Sequence, residues 1–165
     1  MMENPTTFKA WMRRFVIPAM ERMAYGNAEF YGRADVRAMV AAMVHQESKS
    51  GRADRPTTLA YIHHNLAGIT FMAGDEKHYG KVTLPANEFD TGRWVDYRVY
   101  DSFEHSLHNI RWHLLESRLY RDDRKEDCEA WLRAIGPTWC DSNPKHVAGL
   151  VSLYGEWLKE LAPGK

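Results

Sequence analysis

What this chain lacks narrows its possible functions before any motif is read. It has no charge excess, since 22 basic residues balance 22 acidic ones, so nothing in its overall field draws in a polyanion and nucleic acid is not an expected partner. It has no uninterrupted apolar run of the roughly 20 residues that a membrane helix needs, and no membrane span is expected. Lys9, Arg13 and Arg14 break up the apolar residues near the amino terminus, which leaves no h-region for a signal peptide. Cysteine is scarce: Cys128 and Cys140 could pair or stay reduced, and two of them do not decide a redox compartment. Internal repeats and low-complexity tracts are also missing. His63, His64 and His78 invite a metal, but neighbouring side chains on a helix point in different directions and no Cys or Asp completes a ligand spacing. Neither a metal nor a cofactor is expected, and His105, His108 and His113 are read as surface or core-edge residues.

What is present is material for one core. A chain of 165 residues with 44% hydrophobic and 12% aromatic content suits a single domain over residues 1–165. Pro5 sits near a helix start, and Phe8, Trp11, Met12 and Phe15 follow at helical spacing, with Pro18 expected to kink or divide that helix. A short helical run from Thr57 to His64 precedes the turn Asn65-Leu66-Ala67-Gly68-Ile69, where glycine permits close backbone approach. Between Lys81 and Tyr100 the apolar residues alternate, and Asp90-Thr91-Gly92 reads as the turn of a β-hairpin with glycine at positive φ. Ser102 then caps a helix carrying Phe103, Leu107, Ile110, Leu114 and Leu115. A helix with Trp131, Leu132 and Ile135 is expected to stop at Gly136-Pro137, and Asn143-Pro144 opens the last one.

One stretch stands apart. In Val36–Gly51 the residues Val36, Met39, Val40, Met43 and Val44 form one stripe of an amphipathic helix. Glu47 extends that stripe at its C-terminal end. There the negative end of the macrodipole and the apolar neighbours both disfavour ionisation, so its pKa should rise. A carboxyl that keeps its proton near neutral pH is what a general acid requires. An inward glutamate alone is more often a hydrogen-bonded structural residue, so the order of the surrounding features matters.

That order is a helix ending Gln46-Glu47-Ser48, then Asn65-Leu66-Ala67-Gly68-Ile69, then Leu84-Pro85-Ala86-Asn87-Glu88-Phe89-Asp90-Thr91-Gly92-Arg93-Trp94, then Tyr97-Arg98-Val99-Tyr100-Asp101-Ser102, and late in the chain Asp141-Ser142-Asn143-Pro144. It resembles the bacterial endo-β-N-acetylglucosaminidases, the family of flagellar rod hydrolases and many autolysins. The resemblance implies a mainly α (α+β), lysozyme-like helical domain with one β-hairpin flanking a saccharide-binding groove. It also implies hydrolysis of the GlcNAc-β-1,4-MurNAc bond in peptidoglycan glycan strands. Glu47 falls on the family's general acid, Glu88 on the hairpin carboxylate assigned to water activation, and Tyr100 on the tyrosine near the scissile sugar. Asp90 is an alternative second carboxylate. Lys49-Ser50 and Ala67 stand where the family has aromatic residues, so sugar contacts are expected from Asn65, Phe71, Trp94 and Tyr97 instead.

Glycoside hydrolysis needs an acid on the leaving oxygen and a second group for the water or the intermediate. Inversion or assistance by the substrate's acetamido group ranks above a covalent Glu88 adduct. The rivals are a lytic transglycosylase, which works with one glutamate, and a glycan-binding module without activity. Without a signal peptide, the chain is expected to be made in the cytoplasm and to reach the periplasm or cell wall by another route. The choice lies between a phage endolysin and an antibacterial toxin delivered by a type VI secretion apparatus, the latter preferred. A toxin would imply an immunity protein that plugs the groove.

Overall fold

The computed structural model describes residues 7–87, 90–117, 126–140 and 143–162. Helix α3 (Ala34–Ser48) is its axis. Val36, Met39, Val40, Met43 and Val44 are fully buried, as their spacing predicts, but so are Ala38, Ala41 and Ala42. The helix is therefore not amphipathic: its remaining faces are closed by alanines, whose small side chains let neighbours approach from several sides. Helix α7 (Pro144–Leu161) packs on it most extensively, with α6 (Cys128–Trp139) and α2 (Ile17–Ala24) alongside. Each fully buried Val or Met side chain contributes roughly 1.5–3 kcal/mol, which fixes the end of α3 as a rigid platform.

Ahead of α2, α1 (Phe8–Trp11) is capped by Thr7, whose hydroxyl accepts from the Ala10 amide at 3.1 Å; the expected start at Pro5 lies outside the described residues. The helix is divided just ahead of Pro18, which stands in the first turn of α2. The segment Met12–Val16 is wound as a π turn, so that Ile17 N–H donates to the Met12 carbonyl five residues back. This wider turn makes room for the proline ring at the start of α2.

The chain after α3 folds back on itself. Lys49 bridges Pro56, and the Thr57 amide donates to the Ser48 carbonyl at 2.8 Å. Helix α4 (Thr58–His63) follows, capped by Thr57. Strands β1 (Gly80–Asn87) and β2 (Asp90–Val99) form the antiparallel hairpin, from Gly80 opposite Val99 to Pro85 opposite Trp94. An irregularity between Pro85 and Asn87 then brings Asn87 opposite Asp90. The reversal therefore precedes Asp90, and Asp90-Thr91-Gly92 belongs to β2 instead of forming the turn. Among the described residues, positive-φ glycines are found at Gly68 and Gly74, so Gly92 is not one. The register moves by two residues there, since continued pairing would have set Asn87 opposite Gly92.

A polar clamp ties the hairpin to the helices. Arg98 of β2 grips Asp75 with two hydrogen bonds, of 2.8 and 3.1 Å, and donates to Asn109 Oδ1 at 3.1 Å. The Tyr100 hydroxyl donates to the same Asn109 oxygen at 2.6 Å. Asn109 lies on α5 (Phe103–Glu116), capped as expected by Ser102 through the His105 amide at 3.1 Å. Helix α6 runs through Pro137 to Trp139 instead of stopping at Gly136. Gly136 lets α7 come so close that a Cβ there would lie 2.9 Å from Val147 Cγ1, and that packing outweighs the one amide Pro137 lacks. Cys128 and Cys140 are free thiols. Among the described residues no helix is long and apolar enough to cross a membrane.

Candidate active site

The site begins where α3 stops. Ser48 Oγ donates to the Leu66 carbonyl at 2.5 Å, pulling the 65–69 turn against the helix end. Asn65 shapes that turn: its side-chain amide donates to the carbonyls of Ile69 and Arg98, both at 2.9 Å, and its oxygen accepts from the Ile69 amide at 3.0 Å. Gly68 takes φ +67°, and a methyl group placed on it would lie 4.0 Å from Glu47 Oε2. The turn therefore passes beside the carboxyl without covering it.

Glu47 opens into a cavity of about 300 Å³. Thr57, Thr58 and Leu59 form one wall with Gly68, while Leu84, Pro85, Ala86 and Tyr97 of the hairpin form the facing bank. Burial pushes the Glu47 carboxyl up to about 7. Among the described residues no cation or hydrogen-bond donor meets it, so nothing offsets the loss of water. A carboxyl in this state keeps its proton in about half of the molecules at neutral pH, and it faces an open space where a substrate oxygen could sit.

Of the residues expected to meet sugar, Tyr97 lines this cavity with Glu47, and burial raises its own pKa. The others lie elsewhere. Asn65 is 1% exposed and spends its polar atoms on the turn and on β2. Tyr100 is also 1% exposed, its hydroxyl committed to Asn109 and its ring packed on Tyr79 and His105; it supports the hairpin from behind and does not line the cavity. Phe71 is half-buried, with its amide bonded to the Asp96 carbonyl at 2.8 Å and the Lys81 ammonium 5.7 Å from its ring centre. Trp94 is 58% exposed, but it lies an odd number of residues from Tyr97, and alternation turns it to the opposite face of β2. Glu88 lies outside the described residues. Asp90 is in β2, and its side chain is likewise outside what is described.

No protein-family model matches the sequence, and no curated protein does. The fold does find a match. The glycoside hydrolase domain of FlgJ from Salmonella typhimurium aligns with a TM-score of 0.59, over 93% of this chain and 89% of that one, at 15% identity. This chain has a lysozyme-like glycoside hydrolase fold. At that identity the likeness extends to the architecture alone, and the chemistry must come from this chain's own residues.

Within the lysozyme-like fold, the cavity residues that lie in none of the quoted motifs are Thr57, Thr58 and Leu59. Thr57 carried a usable signal as the N-cap of α4. Its packing against the end of α3 depends on the Lys49–Pro56 bridge, which no local pattern announces. Pro85 and Ala86 follow the alternating Val82 and Leu84, and only the strand register shows which bank they form.

Proposed function

We propose that this chain is a peptidoglycan glycoside hydrolase that cleaves the GlcNAc-β-1,4-MurNAc bond, with Glu47 as its general acid. The observation that carries this reading is the Glu47 carboxyl, raised to about 7 and lining the cavity opposite the hairpin. The glycoside hydrolase fold and the ordered resemblance of the motifs support it. In the reaction Glu47 donates its proton to the glycosidic oxygen as the bond to C1 breaks, so the leaving sugar departs as a neutral alcohol. Water completes the hydrolysis at C1. We assign its activation to Glu88, two residues beyond the cavity-lining Ala86, with Asp90 as the alternate. Tyr97 supplies an aromatic edge for the sugar, and Tyr100 holds the hairpin bank in place through Asn109.

The deciding experiment is digestion of purified sacculi by wild type and by Glu47→Gln. Wild type should release fragments with reducing GlcNAc ends, and the folded variant should lose at least a thousandfold in rate. Wild-type clearing by a folded Glu47→Gln would remove the assignment, and anhydroMurNAc ends would establish the transglycosylase instead.

For the biological setting we favour an antibacterial toxin that acts in the periplasm after type VI delivery, with an immunity protein filling the Glu47 cavity. The divergent residues Lys49, Ser50 and Ala67 support this setting over a phage endolysin. Expression fused to a periplasmic leader should lyse the host, and co-expression of a small secreted neighbour-encoded protein should protect it. A holin gene beside this one would favour the endolysin.

A further inference from the structure

The Glu47 cavity has a neighbour along α4. Thr58 is shared with a second cavity of about 270 Å³, lined by Arg55, Pro56, Thr58, Tyr61 and Ile62. Its shape is built from the fold-back after α3. Pro56 is buried and bridged to Lys49, and the Ser50 amide donates to the Arg55 carbonyl at 2.9 Å. Arg55 is half-buried, with Nη1 donating to the Pro56 carbonyl at 3.0 Å. Tyr61 is packed against the core, whereas Ile62 is 54% exposed. The five lining residues set one guanidinium beside an apolar wall.

Size bears on what fills it. At about 300 Å³ the Glu47 cavity is at the lower end for small-molecule sites, enough for a sugar ring with its acetamido group. A bulkier substituent on a neighbouring ring has to leave through an adjoining opening. In peptidoglycan that substituent is the lactyl-linked stem peptide, which carries carboxylates and alanine methyl groups. Guanidinium pairs with carboxylate in a planar fork, and methyl groups suit an isoleucine and tyrosine wall.

We propose that the cavity lined by Arg55, Tyr61 and Ile62 is a subsite for the acidic stem peptide, with Arg55 pairing a stem carboxylate and Ile62 covering an alanine methyl. This rests on the peptidoglycan reading above and adds a specificity to it. Strands that bear stems are then better substrates than bare glycan of the same sugars.

The test measures KM for two glycans, stem-bearing strands and strands stripped of their stems by an amidase. Wild type should show a KM about tenfold lower on stem-bearing strands. Arg55→Gln should bring the ratio close to one, Ile62→Ser should reduce it severalfold, and Arg55→Lys, which keeps the charge, should retain part of it. Because Arg55 also bonds the Pro56 carbonyl, Ile62→Ser serves as the independent variant if Arg55→Gln does not fold. Equal KM values in wild type, a preference for stripped strands, or a preference that survives both Arg55→Gln and Ile62→Ser would overturn the subsite. Cleavage of neither glycan by wild type would overturn the hydrolase reading and the subsite with it, an outcome distinct from cleavage without preference.

Discussion

The Glu47 cavity and the Asp75 clamp stand on opposite sides of one hairpin and treat a carboxyl in opposite ways. At both sites burial disfavours the charged form. Glu47 meets nothing among the described residues that offsets this and rises to about 7. For Asp75, burial pushes upward too, but two hydrogen bonds from Arg98, another from the Met72 amide and the guanidinium charge outweigh it and hold the carboxyl below its usual range. The two sites differ in their partners. A carboxylate with a fixed cation is a fastener, and one left alone beside an open cavity keeps a proton it can give away.

Removing the fastener should have the largest effect. Arg98→Ala leaves Asp75 without its cation and removes one of the two donors to Asn109 Oδ1, so unfolding free energy should fall by about 3 kcal/mol or more, read by urea denaturation. A loss under 1 kcal/mol would show that the clamp does not hold the hairpin.

Glu47 itself should cost stability where it ionises. Its folded pKa lies above its unfolded value, so its favourable contribution is complete below pH 4.5 and is lost as pH rises through about 7. Glu47→Gln should therefore be more stable than wild type above pH 8, by on the order of 3 kcal/mol, and the gap should close below pH 4.5. The activity of wild type should fall over the same rise through about 7, because the general acid loses its proton. A gap independent of pH would mean that the carboxyl is not held protonated.

Supplying Glu47 with the partner it lacks sharpens the contrast. Thr58 is exposed at the cavity wall, and Thr58→Lys should move the alkaline limb of the activity profile down by about one pH unit. An unmoved limb would assign that limb to another group. The smallest effect is expected at Gly68. Gly68→Ala puts a side chain at φ +67°, which should cost about 1 kcal/mol, while the new methyl meets Glu47 Oε2 only at ordinary contact distance. Thermal melts would read the change directly.

Much of this molecule was legible residue by residue. Ser102 and Asn143 cap their helices as read, because a cap is made within three residues of itself. Glu47 was legible for a related reason: its place after Met43 and Val44 on a buried stripe already implied a desolvated carboxyl. The hairpin's existence could be read, but its turn could not, since a single irregularity between Pro85 and Asn87 moves the reversal ahead of Asp90. Pro137 misled for the opposite reason. A local stop signal was overridden by α7 packing on Gly136.

Sequence alone determined most of the helices, the caps at Ser102 and Asn143 and the inward place of Glu47, because these follow from neighbours a few positions away and from hydrophobic spacing. Tertiary structure alone decided which aromatic faces the cavity. Tyr97 lines it and Trp94 does not, because strand register sets the side of every residue at once. It also decided that Tyr100 and Asn65 would be consumed as ties, since their partners Asn109 and Arg98 lie 9 and 33 residues away along the chain. Contacts at that separation depend on how the whole core closes, and no local pattern encodes them.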